Sequence, residues 1–333
     1  MESRYYQILK FPIKVSSNFK QILQSLDKVY CAFKQDKLDS KPVLELIIDS
    51  INGDLTDLNS FKIFSITPSS FDGWSSSSKI WCGVDILNRY VFEIDKAPSE
   101  IKLDKNKQKL FEIKTRTKPL GVKAGWLLQL HFHINLFVLH YSESCFFIHG
   151  GALEWQNKGL ILAGSSGSGK STLTYALAKS GLRFLADESI IFDIVTNKLL
   201  SYHVSPSFEE ECKNIFKEIA DSFEEDKQLG NNSHKSFLNI KKLGISTSNE
   251  PVEPSVIIFP KYSPTEKPAI KTVRKNHAAE LFTKYTGFFQ RPDEPKMSRD
   301  EALILLINKC DCYELISSDL DETVRLVKDV LTD

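Results

Sequence analysis

The segment that most restricts how this chain can fold is the glycine-rich stretch Gly164–Ser171, GSSGSGKS. It fills every fixed position of the phosphate-binding pattern GxxxxGK[ST]. It follows the apolar run Leu160–Ala163 and opens a helical pattern, Ser171–Lys179. A strand, a loop and a helix in this order turn backbone N–H groups toward a phosphate at a helix N-terminus. The sequence therefore predicts an α/β domain organised around a phosphate loop.

The residue types of this loop suit a nucleotide bound with Mg2+. Lys170 supplies a point charge for the β and γ phosphates, and the Ser171 hydroxyl is a magnesium ligand by type. The glycines allow backbone conformations that are closed to other residues. We predict that the nucleotide is bound by the following loop residues: Gly164, Ser165, Ser166, Gly167, Ser168, Gly169, Lys170, Ser171 and Thr172.

An acidic pair follows the loop at short range. Gly181 is a suitable stop for the helix, and Arg183–Ala186 is a short apolar run that ends in Asp187 and Glu188. The residues between the loop and the acidic pair are enough for one helix, one turn and one strand, so the chain can return to the side of the loop. We therefore expect the acidic pair to end a strand beside the loop, close to the magnesium ion and the γ-phosphate.

A histidine precedes the loop. The apolar runs Phe146–Trp155 and Leu160–Ala163 are joined by a short polar connection, which predicts a β-hairpin. A hairpin makes the sheet antiparallel or mixed instead of purely parallel. It also carries His149 into the neighbourhood of the loop.

These features together resemble the catalytic domain of HPr kinase/phosphorylase. The matching segments are His149-Gly150, the loop GSSGSGKS, and SGLRFLADE, whose counterpart in the family is GxRxxADD. The resemblance implies a P-loop kinase domain of HPr kinase/PEP carboxykinase type with a mixed sheet. By position it implies that Lys170 grips phosphate, that Ser171, Asp187 and Glu188 hold magnesium, and that Asp187 is the base that deprotonates an acceptor serine with help from His149.

The chain departs from the family pattern in two places. The second acid is Glu188 where the family has Asp, and the glycine-rich segment with which HPr kinases grip their protein substrate and form hexamers is not found after Asp193. Phosphorylase activity and oligomeric state are left open. The matching segments without that glycine-rich segment resemble the HPr-kinase-related kinases of ribosomal peptides, including those that phosphorylate the C-terminal serine of lasso-peptide precursors.

The length of 333 residues predicts more than one domain. Residues 1–118 combine strand-like runs with a helical pattern and predict a smaller α+β domain, whose strand edges could dock an extended peptide. Residues 119–145 include an apolar run shorter than a bilayer span and predict a buried linking helix. Residues 146–333 predict the catalytic domain.

Charge and cysteine usage exclude several classes of function. Basic and acidic side chains number 43 each, so no global basic field attracts nucleic acid or a membrane surface. The six cysteines form no CxxC pair, and no N-terminal segment has the pattern of a signal peptide. We expect a cytoplasmic protein that binds neither nucleic acid nor membrane.

Three further features lie downstream. Ser207–Asp226 predicts an amphipathic helix that begins with a capping box formed by Ser207 and Glu210. Lys261 follows the apolar run Ser255–Phe259, and Arg274 comes one short strand later. Either cation is a candidate for contact with the transferred phosphoryl group or with substrate.

Taken together, these features predict an ATP-dependent kinase that uses Mg2+ and phosphorylates a serine of a peptide or small protein. The resemblance implies that the acceptor is a lasso or other ribosomal peptide precursor. A kinase of a small molecule such as free serine is the first alternative. A non-enzymatic regulator gated by nucleotide is the second.

Overall fold

The computed structural model describes residues 1–42, 44–50, 61–67, 79–82, 92–95, 109–113, 131, 134–135, 138, 144–228, 235–285, 288–289 and 299–332. The chain divides into two compact units. The first comprises Met1–Val138 and Ile219–Ser236, and the second comprises Leu139–Glu218 and Phe237–Asp333. The boundaries expected at residues 118 and 145 stay predictions. The expected linking helix falls mostly outside the described residues, although residues 131, 134, 135 and 138 are helical.

The first unit contains a mixed sheet, a helix beside it near the N-terminus, and most of the later helix Lys217–Gln228. The sheet has the strand order β3-β1-β2-β4-β5-β8, and β6 pairs with β7 separately. Helix α1 (Lys20–Val29) is amphipathic and buries Ile22, Leu23, Leu26 and Val29. The strands are β1 Glu2–Ile8, β2 Phe11–Ser17, β3 Lys34–Gln35, β4 Leu44–Ser50, β5 Phe61–Thr67, β6 Lys79–Cys82, β7 Phe92–Asp95 and β8 Lys109–Ile113.

The remaining elements follow in chain order. The strands are β9 Cys145–Ile148, β10 Gly150–Trp155, β11 Lys158–Ala163, β12 Arg183–Ala186, β13 Ile190–Asp193, β14 Lys198–Leu200, β15 Ser207–Glu209, β16 Lys235–Phe237, β17 Glu253–Tyr262, β18 Ala269–Thr272, β19 Phe288–Phe289 and β20 Asp311–Ser317. The α-helices are α2 Lys170–Lys179, α3 Lys217–Gln228, α4 Lys275–Tyr285, α5 Arg299–Lys309 and α6 Leu320–Thr332.

The central sheet of the second unit has the order β12-β10-β11-β17-β20-β18. β10 and β11 form the predicted hairpin, whose turn places Gln156 and Asn157 at positive φ. β17 lies parallel to β11 and β20 parallel to β17, whereas β12 and β18 are antiparallel to their neighbours. The fold is therefore mixed α/β with a mixed sheet. The C-terminal ends of β11, β12, β17 and β20 share one edge of this sheet.

A second, antiparallel sheet has the order β14-β13-β9-β19. It corrects the expectation that Phe146–Trp155 is one strand of the hairpin. The run breaks at His149, so that β9 belongs to the antiparallel sheet and β10 to the central one. Each half must pair with a different partner strand, β13 for β9 and β11 for β10, and a single apolar run gives no sign of that division.

The expected helix Ser207–Asp226 is wrong in its first half. Ser207–Glu209 is a strand, Glu210–Asn214 is a 3-10 turn, and the α-helix begins at Lys217. The reason is tertiary: Ser207 and Phe208 are both 2% exposed, and the Phe208 ring packs edge-on against Tyr175 of α2 at 5.7 Å. Phe208 is therefore buried from an extended segment, and only Ile219 and Phe223 of the large apolar residues in this stretch lie on the α-helix.

Candidate active site

The loop between β11 and α2 requires glycine at several positions. Gly167 and Gly169 have φ of 77° and 89°, in the left-handed region that other residues rarely adopt. A Cβ on Gly164 would lie 2.9 Å from the Ser168 hydroxyl oxygen and 3.5 Å from the carbonyl oxygen of Pro260. Gly169 also caps α2, because its carbonyl accepts a hydrogen bond from the Leu173 N–H at 2.9 Å. The strand, loop and helix thus follow one another in the predicted order.

The lysine of the loop folds back across it. Lys170 is 7% exposed, and its Nζ donates to the carbonyl oxygens of Gly164 at 2.9 Å and Ser165 at 2.8 Å. This places the ammonium group inside the curve of the loop. A phosphate at the start of α2 would meet a cation that is already positioned there.

Other loop side chains face in different directions. Ser165 and Ser166 are exposed, whereas Ser168 is buried and its Oγ has no hydrogen-bond partner among the described residues. Ser171 and Thr172 are half-buried in the first turn of α2, and the Thr172 hydroxyl lies 3.6 Å from Cys212 Sγ. The hydroxyl of Ser168 is therefore available to a bound group.

Asp187 does not end a strand that is paired with the loop strand. It follows β12, and β10 lies between β12 and the loop strand β11. The Ser171 hydroxyl and the Lys170 ammonium nevertheless lie near enough to the carboxylate for both to lower its pKa. Its Oδ2 atom is buried and has no hydrogen-bond partner among the described residues.

The environment of Asp187 favours the protonated form. The residue is 1% exposed, and burial together with the nearby charge of Glu188 raises the pKa of its carboxyl from 3.8 to about 7. The hydrogen bond from Ser171 and the charge of Lys170 act in the opposite direction but do not prevail. A carboxylate with a pKa near neutral, beside a phosphate-type loop, is suited to accept and release a proton.

Glu188 is held by contacts on both of its carboxylate oxygens. Ser207 Oγ donates to Oε1 at 2.8 Å, and His149 Nδ1 lies 3.3 Å from Oε2 and 3.1 Å from the Glu188 carbonyl oxygen. The backbone of Glu188 has φ 64°, a strained conformation for this residue type. The histidine that was expected to assist Asp187 is thus engaged with the neighbouring acid.

The fold explains why these residues meet. Residues 187–189 connect β12 of the central sheet to β13 of the antiparallel sheet, and His149 connects β9 to β10 in the reverse direction. The two crossings are adjacent, because Ile148 pairs with Ile190 on one side and Ala152 with Ala186 on the other. Ser207 comes from a third segment, and no motif in the sequence marks it as a site residue.

The two candidate cations have different positions. Lys261 is near the end of β17, next to the loop strand, and its side chain is 73% exposed with Glu266 at 3.6 Å. Arg274 follows β18, where Thr272 pairs with Tyr313 and the Val273 N–H donates to the Cys312 carbonyl near the start of β20. That is the opposite edge of the sheet. The structure therefore brings Lys261 to the loop edge and does not bring Arg274 there.

The residues present fit a magnesium ion that is shared with a nucleotide. Among the described residues there is no group of three or more His, Cys, Asp or Glu side chains placed to hold a metal by themselves. Magnesium does not require one, because it is commonly bound by one or two carboxylates together with water and substrate phosphates. The orphaned, buried Oδ2 of Asp187, beside the Ser171 hydroxyl, is an oxygen ligand of the required type.

Comparison with known proteins gives a partial similarity. No protein-family model matches the chain. The chain is 35% identical over 68 residues to HPr kinase/phosphorylase of Malacoplasma penetrans (strain HF-2), which is 20% of this chain and 23% of that protein. The chain thus matches less than a quarter of that relative's length, and the match supports a relationship to a kinase family at most. No helix within the described ranges is long and apolar enough to span a bilayer.

Proposed function

We propose that this protein is an ATP-dependent kinase that transfers the γ-phosphoryl group to the serine hydroxyl of a peptide or small protein. The observation that carries the proposal is the buried Asp187 carboxylate, whose Oδ2 has no hydrogen-bond partner among the described residues and which lies close enough to Ser171 and Lys170 of a glycine-rich loop to feel both. A loop that only bound a nucleotide would not need a proton acceptor at this place.

The binding roles follow from the contacts. The loop N–H groups and Lys170 bind the phosphates, and the ammonium exchanges its carbonyl partners for phosphate oxygens. Ser171, Asp187 and Glu188 would hold the metal ion. Mg2+ bound there would neutralise charge on the β and γ phosphates. Lys261 at the edge of the site is a further candidate for contact with the transferred group.

Asp187 acts as the general base. The acceptor oxygen forms a bond to the γ-phosphorus while the bond from that phosphorus to the bridging oxygen breaks and ADP leaves. The proton of the acceptor hydroxyl passes to the Asp187 carboxylate. His149 acts on this centre through Glu188, since its Nδ1 contacts the Glu188 carboxylate and carbonyl. Most of the catalysis then comes from positioning and electrostatics.

The class of acceptor rests on resemblance and partial similarity. The relative in Malacoplasma penetrans is an HPr kinase/phosphorylase, and the motif resemblance extends to kinases of ribosomal peptide precursors. A serine in a flexible segment, such as the C-terminal serine of a lasso-peptide precursor, is the acceptor we propose. A docked peptide would be the partner of this protein, and neither nucleic acid nor membrane is part of the proposal.

The test is phosphoryl transfer from γ-labelled ATP in the presence of Mg2+. Wild-type protein is incubated with a serine-terminated precursor peptide, with free serine or with no acceptor. We expect label on the peptide. Label on free serine alone would favour a small-molecule kinase, and nucleotide binding without transfer to any acceptor would favour a nucleotide-gated regulator.

The matched variant is Asp187→Asn, which keeps the size of the side chain. We expect nucleotide affinity in EDTA close to wild type and transfer lower by about a thousandfold, because a positioned base contributes a factor of this order. Transfer at a nearly normal rate would refute the assignment of Asp187 as the base.

A further inference from the structure

We propose that Ser207 is a positioning residue of the active site, which fixes the Glu188 carboxylate for binding of magnesium and nucleotide. The inference rests on the proposed function, and it names a residue outside the motif. Ser207 is 2% exposed, and its hydroxyl donates to Glu188 Oε1 at 2.8 Å. A buried hydroxyl that donates to a carboxylate is a charge-assisted contact, and it restricts how that carboxylate can turn.

The Glu188 carboxylate is contacted by side chains from two different segments of the chain. Ser207 at the start of β15 contacts Oε1, and His149 on the crossing between β9 and β10 lies 3.3 Å from Oε2. Glu188 itself sits in a strained left-handed conformation at φ 64°. Strain of this kind persists where the surrounding structure determines the conformation. Together the two contacts hold the Glu188 side chain at one orientation beside Asp187.

A fixed Glu188 has consequences for its neighbour. Its charge contributes to raising the pKa of Asp187, so the two acids lie close enough to interact. Glutamate has three rotatable side-chain bonds, and a ligand of this length binds a metal well only when partners hold it in place. The hydroxyl of Ser207 supplies that restraint to the Glu188 carboxylate.

The hydroxyl is not needed to hold β15 in place. The Leu238 N–H donates to the Pro206 carbonyl at 2.8 Å, and Phe208 is 2% exposed and packs on Tyr175. These contacts flank Ser207 on both sides. Replacement of its oxygen therefore leaves the segment anchored, and Ser207→Ala is expected to fold.

The experiment measures binding of a fluorescent ATP analogue to the full chain, with EDTA and over a range of Mg2+ concentrations. In Ser207→Ala we expect unchanged nucleotide affinity in EDTA. The Mg2+ concentration needed for half-maximal enhancement of binding should rise about tenfold, because loss of a residue that orients a metal ligand weakens metal binding by at least that factor. Ser207→Thr keeps the hydroxyl and should restore wild-type behaviour. Ser205→Ala is the matched control, because Ser205 is also buried, at 1% exposure, and its Oγ accepts from the Ile240 N–H at 3.4 Å.

The outcomes separate the inference from the proposed function. Wild-type protein that binds nucleotide in a magnesium-dependent manner, with Ser207→Ala identical to it, overturns the inference alone. Equal weakening by Ser207→Ala in EDTA and in Mg2+ also overturns it, since that result would indicate general damage to the loop. Wild-type protein without magnesium-dependent nucleotide binding overturns the proposed function and the inference together.

Discussion

Removal of the Asp187 charge is expected to stabilise the fold while it lowers the transfer rate about a thousandfold. The carboxyl is 1% exposed, and burial, followed by the charge of Glu188, raises its pKa from 3.8 to about 7. The folded state therefore binds this proton more tightly than the unfolded state does. The stability that comes with the proton is complete below pH 3.8, declines as the pH rises, and is lost above about pH 7.

The magnitude follows from the shift. A difference of about three pH units corresponds to about 4 kcal/mol of unfolding free energy. Asn has nearly the same shape and does not ionise. In metal-free protein we expect Asp187→Asn to exceed wild type by about 2 to 4 kcal/mol at pH 8, and the difference to shrink steadily toward pH 5.

Asp193 provides a matched control of opposite sign. It is 8% exposed, and although burial raises the pKa of its carboxyl, hydrogen bonds from Thr196, Ser144 and Val195 outweigh that effect and lower it. Its stabilising contribution is present above pH 3.8 and is lost at lower pH. Asp193→Asn should therefore destabilise the protein at pH 8.

The assay is urea unfolding in EDTA at several pH values between 5 and 8, followed by tryptophan fluorescence. An Asp187→Asn variant that is less stable than wild type at pH 8 would refute the reasoning. A stability difference that does not change with pH would refute it as well.

Two other predictions concern the surroundings of the loop. Lys261→Ala should lower the transfer rate by about tenfold or more while nucleotide affinity stays nearly unchanged. Arg274→Ala, at the far edge of the sheet, should change neither the transfer rate nor the affinity. Equal losses in transfer and affinity for Lys261→Ala would contradict its role. Gly151→Ala should destabilise the protein by about 1 to 3 kcal/mol in urea unfolding, because its Cβ would collide with Thr174 Oγ1 of α2. Thr174→Ala should recover much of that loss in the double variant, since it removes a buried hydroxyl that has no hydrogen-bond partner among the described residues; additive effects would show that the two sites are not in contact.

The sequence alone determined the local features of the site. The order of strand, glycine loop and helix, the hairpin before it, and the strand Arg183–Ala186 that leads to Asp187 all follow from patterns within short windows. Such features depend on glycine conformations, alternation of apolar residues and turn residues, which act between near neighbours in the chain. The sequence also predicts that Asp187 lies near the loop, but it does not reveal that β10 lies between β12 and the loop strand.

Only the tertiary structure decided which side chains touch. The break of the apolar run at His149, the contact of His149 with Glu188 and the approach of Ser207 depend on how strands from distant segments pair. The same is true of the placement of Arg274 at the opposite edge of the sheet. Strand order and register are set by contacts between residues far apart in sequence. A local alternation of apolar and polar residues predicts a strand but is compatible with several neighbouring strands. Packing of the folded chain selects one of them.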